Sequence, residues 1–100
     1  MSDQVERVRR ICLSLAGTSE RLSHGEPTFF AGDRVFVMFA NNHHNDGRVA
    51  VWLPVPPGSR EMLLEQSPEV YFIPPYVGTR GWAGIVLPVV TVAATLIAAT

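Results

Sequence analysis

One hundred residues, 47% hydrophobic and 17% charged, are enough for one domain with a single two-layer core. The formal net charge of −1 argues against a strongly basic nucleic-acid binder, while leaving room for a local cationic patch. All eight basic residues are arginine, and the single cysteine, Cys12, excludes an intrachain disulfide and a cysteine-based zinc site of the usual kind. Val5, Val8, Ile11, Cys12 and Leu15 recur at helical spacing and predict a helix over residues 3–16, stopped at Gly17. Arg7, Arg9 and Arg10 fall mostly off that apolar face and should be solvated. The first ten residues lack an apolar core segment, so no secretory leader is expected and the cytoplasm is the expected compartment.

Short strands follow. They are predicted over 20–24, 28–30 and 34–39, with a tight hairpin turn at 31–34. The near-continuous apolar run of 34–39 suggests a strand covered on both faces. A polar loop, 41–47, ends in Asp46-Gly47, and alternation from Arg48 to Leu53 predicts a fourth strand. Prolines then break the sheet. Residues 59–66 read as a second helix, with Ser59 as N-cap and both Met62 and Leu63 facing the core, ended by Ser67-Pro68. Two more strands, 70–73 and 82–87, flank the loop Pro74-Pro75-Tyr76-Val77-Gly78-Thr79-Arg80-Gly81-Trp82. That loop is stiffened by its prolines, free to turn at Gly78 and Gly81, and presents Arg80 at its tip. The predicted class is α+β: a two-layer sandwich, an antiparallel sheet with helices on one face, in the order α-β-β-β-β-α-β-β with an atypical C-terminal segment.

That segment has no charge after Arg80. Pro88 interrupts it, and residues 89–100 are too short to cross a bilayer, so no membrane span is expected. A buried last segment is one reading. An exposed apolar patch that drives homo-oligomerisation is the other.

No catalytic signature stands out, and no enzymatic activity or cofactor is expected. His43-His44 with Asp46 is the one cluster of ligand types, but neighbouring residues on an extended chain face opposite ways, so no metal site is assigned. Ser23-His24 with Glu26 lacks any nucleophile-elbow pattern. Asn42, His43 and Asp46 are the residue types of formyl transfer, without a recognisable cofactor loop. Trp52, Tyr76 and Trp82 could stack on bases, although aromatics on strands usually fill the core. Arg48 and Arg80 each sit beside a loop, so the two loops could act as short wings that meet phosphates.

Several separated blocks occur together: Ser23-His24-Gly25-x-Pro27-Thr28-Phe29-Phe30, Val35-Phe36-Val37-Met38-Phe39, His43-His44-Asn45-Asp46-Gly47-Arg48-Val49-Ala50-Val51-Trp52, Pro56-Pro57-Gly58, and Phe72-Ile73-Pro74-Pro75-Tyr76-Val77-Gly78-x-Arg80-Gly81-Trp82. In this order they resemble the MmcQ/YjbR-like family over about residues 5–87. The resemblance implies a small bacterial cytoplasmic protein with a frataxin-like, secretion-chaperone-like sandwich. It also implies a "double wing" that contacts double-stranded DNA. The implied contact residues are Arg48, Arg80, His43, His44 and Tyr76, on loops shaped by Gly47, Gly78, Gly81 and Trp82. The alternative is a non-catalytic protein-interaction or assembly module. Residues 88–100 depart from the family pattern, which continues with a charged amphipathic helix.

Overall fold

Six strands pair into one antiparallel sheet in the computed structural model, which describes residues 3–43 and 47–87. In chain order the elements are α1 (Asp3–Leu13), β1 (Thr18–Ser23), β2 (Glu26–Ala31), β3 (Arg34–Asn41), β4 (Val49–Pro54), α2 (Ser59–Gln66), β5 (Tyr71–Phe72) and β6 (Trp82–Val86), with a short 3-10 turn at Val77–Arg80. The sheet order is β1-β2-β3-β4-β6-β5. This is the predicted α+β sandwich, with the predicted order of helices and strands. His44 and Asp46, and the tail on which homo-oligomerisation is expected, lie outside the described residues.

Alternation along the strands sorts side chains onto two faces. One face carries Phe29, Val37, Phe39, Val51, Leu53, Tyr71 and Ile85, and packs against Val8 and Cys12 of α1 and Leu63 and Leu64 of α2. Phe36 joins the same face because β3 bulges there: Phe29 pairs with Val37, but Phe30 pairs with Val35. Burial pushes the Cys12 thiol up to about 12, so it is a protonated core residue that offers no thiolate. The other face carries a second, smaller cluster of Met38, Ala40, Ala50, Trp52, Phe72 and Trp82.

Several local expectations shift. α1 ends at Leu13 because the Thr18 hydroxyl donates to the carbonyls of Cys12 (2.9 Å) and Leu15 (2.8 Å), which draws the chain out of the helix and starts β1 two residues early. Arg9 is not simply solvated. Its Nε and Nη2 donate to the two Glu20 carboxylate oxygens at 2.7 and 2.9 Å, which ties α1 to β1, and this pairing holds its pKa above the usual arginine value. The N-cap of α2 is Gly58, left-handed at φ 86°, and Ser59 is already helical. Met62 is exposed, contrary to expectation. A two-turn helix that packs half-buried Leu63 and Leu64 against the core must swing the preceding residue outward.

Candidate functional site on the open sheet face

The two loops singled out by the sequence leave the sheet at opposite ends. The 42–48 connection departs beside the Asn41–Val49 pair, whereas the chain re-enters β6 at Trp82 opposite Pro54, the far end of β4. They are not adjacent wings. What brings them together is the stretch Pro75–Val77, which folds back over the face that the helices leave open. There it meets His43, Met38 and Trp52.

The floor of this region is one row of paired residues across five strands: Thr28, Met38, Trp52, Gly84 and Phe72. Gly84 is required by close approach. A Cβ there would stand 2.4–2.6 Å from the Phe72 ring, so glycine lets the ring lie flat on the sheet. Phe72 in turn supports Arg48, whose guanidinium carbon sits 4.0 Å from the ring centroid. Arg80 lies 5.7 Å from the centroid of Trp82, and Arg21 lies 3.8 Å from that of Phe30. Each such stack is worth about 0.5–1 kcal/mol at an exposed site. The rings under all three belong to the face opposite the helices, while Arg80 itself also borders Arg60 and Glu61 of α2. Arg21 precedes Leu22 and follows Glu20, which points to α1. Arg48 and Ala50 flank Val49, which packs on the helix side. Only two carboxylates lie on the described strands. Glu20 is engaged by Arg9, and Glu26 by His43, whose Nδ1 is 3.2 Å from its Oε2.

This face holds a pocket of about 510 Å³, lined by His24, Met38, His43, Trp52, Pro75, Tyr76 and Val77. That volume falls in the range of small-molecule sites. His43 stands edge-on to Trp52, with ring centroids 5.2 Å apart at 83°. Glu26 orients it, also accepting the backbone N–H of Asn41 at 3.1 Å. Trp52 is 2% exposed, and its indole Nε1 has no hydrogen-bond partner among the described residues. A buried donor left in that state costs about 1–3 kcal/mol.

Backbone strain converges on the same place. Among the described residues, three non-glycines have positive φ: His24 (53°), Asn42 (53°) and Tyr76 (64°). His24 and Tyr76 line the pocket and Asn42 immediately precedes His43, but His24 with Gly25 (79°) forms the two-residue β1–β2 hairpin that requires positive φ, so the strain is centred on Tyr76. Asn42 closes its loop by accepting the Gly47 N–H at 2.7 Å and donating its own N–H to the Arg48 carbonyl at 2.6 Å. Tyr76, with ψ −67°, forms a γ-turn of the rare, strained kind, closed by the Val77 N–H to the Pro75 carbonyl at 2.7 Å. Such a conformation costs about 1–3 kcal/mol and persists only where neighbours impose it. Here the neighbours are visible. The Gly78 N–H donates to the Pro74 carbonyl at 3.0 Å, and the Thr79 hydroxyl to the Tyr76 carbonyl at 2.8 Å. Arg60 of α2 donates from Nη1 to the carbonyls of Gly78 (2.7 Å) and Trp82 (3.1 Å).

The sequence-predicted residues are therefore divided. Arg48, Arg80, His43 and Tyr76 share the open face, while Trp52 and Trp82 are buried in its floor and only Tyr76 of the three aromatics is exposed. Gly47 and Gly81 turn the chain at positive φ. Gly78 does not turn it, because it sits inside the 3-10 turn, packed against Ile73. Arg21 and Arg60 belong to no motif in the sequence. An exposed arginine beside a strand and one in a polar helix have no local pattern that marks them. No group of three or more His, Cys, Asp or Glu that could hold a metal occurs among the described residues, and among them no helix is long and apolar enough to cross a membrane.

A sequence-family model described as YjbR matches residues 13–99, and so takes in most of the apolar tail. The crystal structure of Deinococcus radiodurans protein DR2400, which carries a DUF419 domain, is similar to this chain with a TM-score of 0.75. The two are 16% identical over 94% of this chain and 72% of that one, a likeness of fold. No curated protein matches. With the family match spanning most of its length, the chain belongs to the YjbR family.

Proposed function

We propose that this YjbR-family chain is a non-catalytic nucleic-acid-binding module that meets its partner across the open sheet face. The observation that carries this reading is the placement of three guanidinium groups, Arg21, Arg48 and Arg80, each stacked on a ring of that one face. A planar guanidinium oriented by a ring suits phosphate oxygens, which it can meet with parallel N–H donors. A net charge of −1 is compatible with this, because the strand carboxylates are already engaged by Arg9 and His43. The two loops border the surface and bring Arg48 and Arg80 to it. They do not act as separate tips.

Fluorescence anisotropy of labelled single-stranded and duplex DNA over a salt series tests the reading. Three phosphate contacts predict a log–log salt slope of about −2 to −3. Replacing Arg21, Arg48 and Arg80 together by alanine should abolish the salt dependence and most of the affinity. No binding at low salt, or unchanged binding by the triple variant, overturns it.

A further inference from the structure

We infer that the pocket over Trp52 takes a single unstacked nucleobase, so that the open face prefers single-stranded nucleic acid or free mononucleotides to a duplex. For the single strand as the source of that base, the inference rests on the nucleic-acid reading above. For the pocket itself it rests on two independent observations.

The first is shape and lining. A space of about 510 Å³ walled by Trp52, Tyr76, His43, Pro75, Val77 and Met38 is mostly apolar and aromatic, which is what a flat heterocycle requires. The second is strain. Tyr76 holds the rim in a strained γ-turn that glycine would adopt more readily. Retaining a side chain there is accounted for if the tyrosine ring is used. Arg48 offers a cation for the phosphate half of a nucleotide: it sits on Phe72, in the same strand-to-strand row as Trp52. A base inside a duplex cannot enter such a pocket without being unpaired, which is the physical basis of the predicted preference.

The test uses the full chain carrying Trp82→Phe, so that Trp52 is the only indole, and follows its fluorescence during titration with nucleoside monophosphates, single-stranded oligonucleotides and duplex. Calorimetry on the unsubstituted chain repeats the titrations in case Trp82→Phe perturbs the fold. Saturable quenching by monophosphate and by single strand is expected, with duplex weaker by roughly tenfold or more. Tyr76→Gly should lose roughly tenfold in affinity while Tyr76→Phe retains it. Single strand and duplex bound equally, with no change in Trp52 emission and no effect of Tyr76→Gly, would overturn the pocket inference and leave the arginine-face reading standing. Quenching by monophosphate without any oligonucleotide binding would do the reverse, identifying a free nucleotide as the ligand. Silence in every titration overturns both.

Discussion

The two faces of this sheet are built from similar residues and are put to different use. The helix-covered face buries Phe29, Val37, Val51, Leu53 and Ile85 almost completely, with backbone in ordinary strand conformation and glycine taking the left-handed turns. The open face also has a buried aromatic floor, which encloses the unpartnered indole N–H of Trp52, but over it lie three stacked arginines and a pocket with the strained γ-turn of Tyr76 at its rim. A sheet covered by helices on one side reaches its stability there, and so can tolerate strain and unmade hydrogen bonds on the other. Regions that depart from local preference are where function is sought.

That contrast can be broken by mutation. The largest expected effect is on the covered face: Phe29→Ala should lower unfolding free energy by about 3–5 kcal/mol in denaturant titration, because the site is fully enclosed and cannot collapse. A loss under about 1 kcal/mol would mean that the covered face is not the main source of stability. Next is Gly84→Ala, whose Cβ would press on the Phe72 ring from below, lowering stability by about 1–3 kcal/mol and unseating Arg48 from its stack. Gly78→Ala is the comparison. Its Cβ would stand 2.6 Å from the Cγ2 of Ile73, a methyl fixed on a branched Cβ, so a loss of about 1–3 kcal/mol is expected there too, but with Arg48 left on its ring. Loss of the Arg48 stack in Gly78→Ala as well would count against a rigid aromatic floor that depends on Gly84. The smallest effect has the opposite sign. Tyr76 is 74% exposed and strained, so Tyr76→Gly should leave thermal stability unchanged or raise it by up to about 1 kcal/mol, while binding at the pocket falls. A clear loss of stability would mean that the ring holds the fold together and does not serve a ligand.

Much of the fold is legible along the chain, and the reasons are local. The helical spacing of Val5, Val8 and Cys12 marks the covered side of α1, and the alternation of Val49, Val51 and Leu53 against Ala50 and Trp52 already separates the two faces of β4. The motif blocks around His24, Trp52 and Pro74–Trp82 lead to the right family. Errors arise where local cues compete. Thr18 takes the carbonyls at the end of α1, and the register of a two-turn helix decides between Met62 and Leu64. The site is legible only in pieces. Arg48, Arg80, His43 and Tyr76 can be picked out as loop residues, but Arg21 and the role of Gly84 cannot.

What the chain determines by itself is thus the class of fold, the order of its elements and the chemistry of each face, because these follow from periodicities of two and 3.6 and from turn residues a few positions apart. What only the tertiary structure decided is that residues 21, 24, 43, 48, 52, 76 and 80 share one surface. Strand order inserts β6 between β4 and β5, so Phe72 lies beside Gly84 and can support Arg48. The γ-turn at Tyr76 then sends the second loop back across the open face to meet the first. Neither fact is encoded in any short window of sequence. Both are set by pairings between distant segments, whose register is fixed only when the whole covered face is packed.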